Sequence, residues 1–416
     1  MFGLSSDGDG TKWTVWNWLL LGVALLTSAG CSPSSSERPM CYQSLVTESA
    51  LSAGSGVWQT IAEPLLDAEG VSEEVQLSTG SSDSVVLRVS APQDAKACVQ
   101  LHSVSDENGV AWVTPPTLIA DYGSYCQSCP QRVSVGVGGG VYVLPSIDPA
   151  PTVTGTMRVR AALRDCATFL PYRSAAGRPD RLRIEQLVPP AVNRTSRGEI
   201  WIEFVILPGS FLSGDESAFP TPLREAVDQI NTILSPGSLA MTPLRIRRTA
   251  SADPLELKSG DLSAIASLVD SLKSCQHNGE RPRSQVLPIV LAGCIRNQSQ
   301  SLMITSEPEG YVAHIPDGVI TEQGPYGVYL SGRTCRENST PFVLTSGELA
   351  KRIAHELGHA LGLYHTVESD GTTDQLADTS SDNLMNFRPS VVAGLGSGFT
   401  TNQLAVMRRH PLIRWQ

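Results

Sequence analysis

Three histidines and one glutamate stand close together in the sequence, at a spacing that suits a metal ion. His355 and His359 are four residues apart, so on a helix their side chains point the same way, about one turn from each other. Glu356 follows the first histidine, and Gly362 predicts the end of the helix because glycine adopts a left-handed turn that other residues resist. The chain can then return and present His365 as a third nitrogen ligand. Three nitrogen ligands with an open fourth position are typical of a catalytic zinc site rather than a structural one.

The helix that would carry these residues has a predicted start and a predicted buried face. The sequence Thr345-Ser346-Gly347-Glu348 is the pattern of a capping box, in which the threonine and the glutamate satisfy backbone N–H groups at the start of a helix. Apolar residues recur every four positions and predict the buried face, with the metal-binding pair on an adjacent face. These residues are Leu349, Ile353, Leu357 and Leu361.

Residues 199–416 alternate between strand and helix patterns, which predicts an α/β (α+β) domain with a central sheet. One predicted helix is capped by Thr221 with Pro222 at its first position, and a second runs from Asp261 to Leu272. The predicted strands are Glu199–Leu207, Leu244–Arg248 and Val286–Ile295.

Residues 41–170 contain no convincing long helix. Short β-rich runs alternate with Gly, Pro, Ser and Asp, which is typical of an all-β sandwich of antiparallel strands. The module carries no catalytic cluster, and its lone His102 is interpreted as structural. It is therefore interpreted as an accessory or inhibitory pro-module, followed by an Arg- and Pro-rich linker at residues 171–198. The β-rich runs are Val85–Val89, Cys98–Val104, Arg132–Val137, Val141–Leu144 and Met157–Leu163.

The overall composition favours a multidomain globular protein and argues against one class of partner. The chain has 416 residues, of which 41% are apolar and 17% charged. Lys and Arg number 31 and Asp and Glu number 41, so the formal net charge is -10. Because Lys and Arg supply the affinity for phosphate backbones, this balance argues against a nucleic-acid partner.

The N-terminus has the features of an export signal. Val15–Leu26 is apolar apart from Asn17 and is short for a membrane span. Small residues precede Cys31, as in the lipobox of bacterial lipoproteins, where the cysteine is lipidated. The interpretation is a signal peptide at residues 1–31 and a Ser/Pro-rich tether at residues 32–40, on a lipoprotein anchored in the cell envelope or outer membrane. Ordinary signal-peptide cleavage and secretion is the alternative.

Cysteine usage fits an exported protein. Of the nine cysteines, eight remain when Cys31 is set aside, and an even number in an exported chain predicts disulfides. Five of the eight precede residue 200, so full pairing requires at least one bridge between the two halves. The connectivity stays open. Cys126 and Cys129 are interpreted as a local loop staple rather than a redox pair.

The motif resembles that of a known family. The stretch His-Glu-x-x-His-x-x-Gly-x-x-His at residues 355–365 matches the zinc signature of the metzincin metalloproteases at every specified position. That family also has a methionine turn below its zinc, and the sequence Asn383-Leu384-Met385-Asn386 is similar to it. The resemblance implies a metzincin-like zinc protease domain in which Met385 is a packing floor and not a ligand.

Within the metzincins, the chain is most similar to the pappalysin-type peptidases. The similarity implies that the region around Tyr311–Ile315 is an edge strand that holds an extended peptide by strand addition. The cysteines that this group has around the methionine turn are missing here, which implies a different structural fix for that loop. The matching segments are Gly310–Ala313, Pro316–Ile320, Tyr326-Gly327, Leu363–Thr366 and Asp378-Thr379.

The residue types and the resemblance together predict a zinc-dependent endopeptidase acting on a protein or peptide substrate. Zinc lowers the pKa of a bound water toward about 7, and Glu356 would accept its proton as general base. Phe387 stands where some metzincins have a tyrosine, and Val391–Phe399 is expected to form part of the specificity pocket. The alternative is a binding or adhesion lipoprotein that retains zinc without significant turnover.

An acidic stretch follows the third histidine. It is interpreted as a solvated loop, with a calcium site as the alternative, because oxygen ligands suit Ca2+ and pappalysin-type relatives carry such ions. Asp374 resembles the aspartate ligand of another zinc peptidase group, but it follows His359 too closely for that role. The acidic residues are Glu368, Asp370, Asp374, Asp378 and Asp382.

Overall fold

The chain separates into two compact units, Met1–Met40 and Cys41–Gln416. All described residues belong to the second unit, so the predicted signal peptide, Cys31 and the tether lie outside them, as does the predicted helix from Asp261 to Leu272. The computed structural model describes residues 43–45, 57–82, 84–91, 97–115, 136–137, 139–145, 153–165, 168–172, 181–188, 196–215, 217–248, 255–257, 286–297, 310–312, 327–332, 344–367, 371, 373–386 and 398–416.

The described part of the chain is mixed and mostly β, with few helices, which confirms the prediction of a mixed fold at this coarse level. The α-helices are α1 (Thr221–Leu234), α2 (Ser346–Ala360) and α3 (Thr401–Arg408). The strands of the first half are β1 (Gln43–Ser44), β2 (Val57–Ala62), β3 (Val75–Ser82), β4 (Val85–Ser90), β5 (Ala97–Ser105), β6 (Ala111–Val113), β7 (Gly136–Val137), β8 (Gly139–Leu144), β9 (Val153–Asp165) and β10 (Arg183–Val188). Those of the second half are β11 (Gly198–Ile206), β12 (Leu239–Arg248), β13 (Leu255–Leu257), β14 (Leu287–Ala292), β15 (Ile295–Asn297), β16 (Gly310–Val312), β17 (Val328–Ser331) and β18 (Ile413–Trp415).

A seven-stranded sheet forms the centre of the second half, in the order β1-β12-β11-β14-β17-β16, with β18 also paired to β11. The pairs β11–β12, β11–β14 and β14–β17 are parallel. The edge strand β16 is antiparallel to β17, with Tyr311 opposite Tyr329. Every residue of β11 is buried, as expected for a strand covered on both faces.

Helix α1 begins one position differently from the prediction. Pro220 occupies the N-cap position and its carbonyl accepts the N–H groups of Leu223 and Arg224, both at 3.0 Å. Thr221 is therefore already helical, and the prediction that it caps the helix is wrong. Pro220 has non-helical backbone angles, and its carbonyl accepts the first hydrogen bonds of the helix, so the helix begins at Thr221.

Two antiparallel sheets make up most of the first half. One has the order β2-β10-β4-β8, and the other has the order β3-β9-β5-β6 with β7 also paired to β5. Residues of both sheets share one hydrophobic core, with Leu87 from β4 and Leu101 from β5 fully buried in it.

Strand β8 is buried on both faces, and β4 contributes residues to two hydrophobic cores. Successive side chains of a strand point to opposite faces. Leu87 and Tyr142 face the core between the two sheets. Their neighbours Val86, Val141 and Val143 belong instead to the core of the central sheet and its helices. The four-stranded sheet is thus a middle layer, and it joins the two halves of the unit.

The structure differs from the sequence interpretation within the proposed linker at residues 171–198. Arg183–Val188 forms β10, which pairs with both β2 and β4. Leu182 and Ile184 are fully buried, and the arginines beside them conceal this short apolar pattern in the sequence.

Two further features concern the cysteines and the helices of the described residues. Cys98 and Cys294 are each disulfide-bonded. Of the helices in the described ranges, none combines the length and the apolar character needed to cross a bilayer.

Candidate metal centre

Helix α2 begins with the predicted capping box. Thr345 Oγ1 accepts the backbone N–H of Glu348 at 3.2 Å, and the Thr345 backbone N–H donates to Glu348 Oε2 at 2.8 Å. Hydrogen bonds from the Thr345 backbone N–H and hydroxyl to Glu348 Oε2 lower the pKa of the Glu348 carboxyl. The predicted apolar face is also confirmed, since Leu349, Ile353 and Leu357 are fully buried in the core. The start and the rotation of the helix are therefore both fixed by local sequence.

The end of α2 is a Schellman motif built on the predicted glycine. The helix ends at Ala360, and Gly362 has φ +98°, in the left-handed region. The N–H of Gly362 donates to His359 O at 3.0 Å, and the N–H of Leu363 donates to Gly358 O at 2.9 Å. This reversal turns the chain back toward the helix and brings the third histidine to the first two.

The structure brings the three predicted histidines together. The ligand atoms of His355, His359 and His365 all lie within 4.8 Å of one another. Their ring centroids are 4.8, 5.3 and 4.6 Å apart. His355 and His359 are 4% and 2% exposed, and His365 is half-buried. In the described ranges, no other group of three or more such side chains meets the same distance criterion.

Two backbone carbonyls fix which nitrogen of each helical histidine is available. His355 Nδ1 lies 2.8 Å from Leu384 O, and His359 Nδ1 lies 2.8 Å from Leu363 O. A carbonyl oxygen only accepts, so each Nδ1 carries the proton and donates it. The lone pair of each ring is then on Nε2, as in most metal-bound histidines.

The surroundings keep His355 neutral. Burial lowers the pKa of His355 to about 4, assisted by the neighbouring His365 and opposed by the hydrogen bond to Leu384. A neutral imidazole is the form that binds a metal ion. Glu356 follows on the same turn and is 6% exposed, so a buried carboxylate accompanies the ligand set.

Met385 packs against the helix between the two histidines. It is fully buried, and a β-carbon built on Gly358 would lie 2.5 Å from Met385 Sδ and 3.1 Å from Phe399 Cε1. The Met385 carbonyl accepts the N–H of Thr366 at 2.9 Å, which ties the turn to the residue after the third histidine. Met385 therefore contacts the histidine-bearing helix by packing and the segment after His365 by its backbone.

Sequence reasoning did not identify the residues that hold this turn. Asn383 and Gln403 of α3 exchange two side-chain hydrogen bonds, and Asn383 Oδ1 also accepts the N–H of Met385 at 2.8 Å. A sequence pattern could have identified Gln403, because Thr400 and Gln403 have the spacing of a capping box. The structure contains this capping box at the start of α3.

Asp374 has a structural role in the loop. Its Oδ1 accepts the hydroxyl of Thr379 at 2.6 Å and the N–H of Leu376 at 3.4 Å. It is not part of the histidine cluster. Both observations agree with its rejection as the third ligand.

Two other carboxylates of the acidic stretch also accept protein donors. Asp378 accepts the hydroxyl of Thr400 at 2.9 Å and the N–H of Asn402 at 3.0 Å, at the start of α3. A hydrogen bond from Ser380 lowers the pKa of Asp382. The remaining predicted acidic residues, Glu368 and Asp370, lie outside the described residues.

The strand predicted to bind substrate is the edge strand of the central sheet. Gly310–Val312 forms β16, and α2 packs beside it and β17. Several residues singled out in the sequence lie outside the described ranges: Ile315, 316–320, Phe387 and 391–397.

Comparisons with known proteins add little to this geometry. No protein-family model matches the chain, and no curated protein matches it. Among solved structures, a family two carbohydrate esterase from Cellvibrio japonicus is similar at 8% identity over 59% of this chain and 79% of that chain, with a TM-score of 0.11. A similarity of that size carries no argument about fold or function.

Proposed function

We propose that this protein is a metzincin-type zinc endopeptidase most similar to the pappalysin-type peptidases. The observation that carries the proposal is the convergence of His355, His359 and His365, with the two helical rings held in the tautomer that leaves Nε2 available. Zinc is the proposed metal because three imidazoles and an open position suit its catalytic sites.

Glu356 is the proposed general base. When bound, zinc would act as a Lewis acid and lower the pKa of a water molecule, which makes a nucleophile available near neutral pH. Glu356 accepts the proton of the attacking water and then donates it to the leaving amine. Glu356 is only 6% exposed, which limits its contact with bulk water.

The proposed fold assigns the second half to a metzincin-like domain and the first half to a sandwich-like module. A sheet in which β12, β11, β14 and β17 run parallel, with the antiparallel edge strand β16 beside the histidine-bearing helix, supports the first assignment. Two antiparallel sheets with a shared core support the second. An extended peptide would add to the edge at β16, where backbone groups give affinity without fixing sequence.

We also propose that the protein is exported and anchored through lipid on Cys31. The disulfide-bonded Cys98 and Cys294 support an oxidising compartment, since disulfides seldom persist in the cytosol. Mass spectrometry of protein from membranes should find a diacylglyceryl cysteine as the first residue. A mature N-terminus elsewhere would contradict the anchor and leave the peptidase proposal intact.

The test of activity compares Glu356→Gln with a matched change on the same helix. Full-length protein is incubated with a mixed peptide library, with and without chelator, and products are read by mass spectrometry. Glu356→Gln should bind zinc and lose at least about 100-fold in kcat/KM, the scale of a general-base contribution. The control Glu348→Gln changes an exposed carboxylate to a residue that also suits a capping box, and should retain activity.

The outcomes separate the proposal from its rival. Cleavage that is lost with chelator and restored by zinc supports the peptidase. Stoichiometric zinc without cleavage of any library member supports the zinc-retaining binding or adhesion lipoprotein. Equal activity of Glu356→Gln and the wild type would contradict the role of Glu356.

A further inference from the structure

No cysteine is present after residue 335, so the turn at Met385 is held without a disulfide. Among the described residues, side-chain hydrogen bonds hold this turn. Asn383 Nδ2 donates to Gln403 Oε1 at 3.2 Å, and Gln403 Nε2 donates back to Asn383 Oδ1 at 2.9 Å. Gln403 is fully buried and Asn383 is 6% exposed. A reciprocal amide pair shielded from water is both strong and costly to break.

Each amide has a further partner that fixes its orientation. Gln403 Oε1 also accepts the N–H of Thr400 at 3.0 Å, as the capping box of α3 requires. Asn383 Oδ1 also accepts the N–H of Met385 at 2.8 Å. The oxygen and nitrogen of both side chains are therefore assigned by their donors, and neither amide can flip without losing bonds.

The pair lies one residue from the carbonyl that orients a metal ligand. Leu384 stands between Asn383 and Met385, and its carbonyl accepts the Nδ1 proton of His355 at 2.8 Å. Fixing the N–H of Met385 limits the rotation of the Leu384–Met385 peptide, which includes that carbonyl. The Asn383–Gln403 pair is thereby linked to the ring of His355.

We propose that Asn383 and Gln403 are positioning residues for His355, acting through the Leu384 carbonyl, and that they do the work of a disulfide in this turn. The inference rests on the proposed metal site and does not depend on peptidase activity. Partners that orient metal-bound histidines typically change metal affinity by about 10- to 100-fold. A change on α3, distant in sequence from all three histidines, should therefore weaken metal binding.

The test variant is Gln403→Glu. Glutamate keeps the side-chain size and suits the capping box, but it replaces the Nε2 donor with an oxygen facing Asn383 Oδ1. Zinc affinity is measured by chelator competition, and the visible spectrum of the cobalt-substituted protein reports ligand geometry. In metal-free protein, imidazole nitrogen shifts report the tautomer of His355, and hydrogen exchange reports the amide of Met385.

Asp378→Asn is the matched control. Asp378 holds the same end of α3 through Thr400 and Asn402, and it has no hydrogen bond to Asn383 in the described contacts. The substitution weakens contacts at the start of α3 that are separate from the Asn383–Gln403 pair, so the cobalt spectrum and the His355 tautomer should stay as in the wild type. Gln403→Glu should instead weaken zinc binding at least 10-fold, alter the spectrum and speed exchange at Met385.

A second variant keeps the test decisive. If Gln403 acts only through Asn383, adding Gln403→Glu to Asn383→Ala should change zinc affinity by less than about twofold, because coupled residues are not additive. An unchanged His355 tautomer and unchanged exchange in Gln403→Glu would overturn the proposal, as would equal zinc loss in Asp378→Asn. If Gln403→Glu weakens zinc binding as expected but the wild type cleaves no peptide, only the proposed peptidase function is refuted.

Discussion

Gly358 and Met385 are packed so closely that the first cannot carry a side chain without moving the second. A β-carbon on Gly358 would lie 2.5 Å from Met385 Sδ, well inside van der Waals contact. Gly358 immediately precedes His359, and Met385 follows the residue whose carbonyl holds His355. A position that the zinc signature leaves unspecified is thus restricted by packing.

We expect Gly358→Ala to destabilise the protein and weaken metal binding together. Helix propensity favours alanine, but the overlap with Met385 adds an overpacking cost of about 1–3 kcal/mol. Displacement of Met385 also moves the Leu384 carbonyl, so His355 loses its orientation. Thermal unfolding of metal-free protein and zinc competition measure the two effects.

Gly347→Ala is the control on the same helix. Among the described residues, its β-carbon would meet Gln229 Oε1 at 3.3 Å and Thr345 Oγ1 at 4.0 Å, and both are the ends of side chains. It should be neutral or stabilising by up to about 1 kcal/mol, with unchanged zinc affinity. The prediction for Gly358→Ala is wrong if both variants behave alike, or if Met385→Ala in the same chain relieves none of its defect.

Gly362→Ala should be costly for a different reason. Gly362 has φ +98°, where a β-carbon is strained, so we expect a loss of about 1–2 kcal/mol in unfolding free energy. The strain also loosens the reversal that brings His365 to the other two histidines, so the affinity for zinc should fall. Gly362→Asn should lose less, because asparagine tolerates the left-handed region better.

Gly371→Ala separates strain from metal binding. Gly371 has φ +89°, and none of the described residues would lie within 4 Å of its β-carbon. The substitution should cost stability on the same scale while zinc affinity stays at the wild-type value. Equal zinc affinities for the two alanine variants would show that the turn at Gly362 does not control the third ligand.

The parts of the site that the sequence predicted are those specified by near neighbours. Thr345 and Glu348 are three residues apart, and Gly362 follows the helix that it ends. Helical periodicity then places His355 and His359 on one face. Each of these relations lies within one or two helical turns, so local rules suffice.

The parts that it could not predict depend on residues distant in sequence. Gln403 and Asn383 are 20 residues apart, and a pattern search has no reason to pair two amides. Val86 is apolar like its neighbours in β4, so the sequence does not show that it packs in the core of the central sheet and its helices. Alternation in a strand reveals two faces but not what covers them.

The His102 side chain should make the protein acid-sensitive. Burial, followed by the charges of Arg160 and Arg164, lowers the pKa of His102 to about 4. Above the unfolded value of about 6.5, the imidazole is neutral in both states and contributes no pH dependence. As pH falls from about 6.5 toward 4, the unfolded chain binds a proton that the folded chain does not, so stability is lost.

Urea midpoints of the wild type and His102→Gln between pH 7.5 and 4.5 measure this effect. The stability difference between the two proteins should be constant above about pH 6.5 and should shift in favour of the variant at lower pH. Measurements above about pH 6.5, where the stability difference should be constant, serve as the internal control. A difference that stays constant across the whole range would refute the prediction.

Glu203 is the carboxylate of a buried charge cluster in the central sheet, and Glu203→Gln should be among the most damaging single changes to the fold. Glu203 Oε2 lies 3.0 Å from Arg245 Nε, and Glu203 Oε1 pairs with Arg247. All three side chains are at most 2% exposed. Removing the carboxylate charge leaves two buried guanidinium groups without that counter-charge, which costs about 3–5 kcal/mol.

The same substitution at an exposed pair provides the contrast. Glu63 lies 2.9 Å from Arg183 Nε, with both side chains about half exposed (48% and 56%). Glu63→Gln should cost at most about 1 kcal/mol, because water already solvates both charges. Urea unfolding of the two variants at neutral pH compares them directly. If Glu203→Gln lost no more stability than Glu63→Gln, the prediction would be wrong. Groups other than the Glu203 carboxylate would then compensate the charges of the two buried arginines.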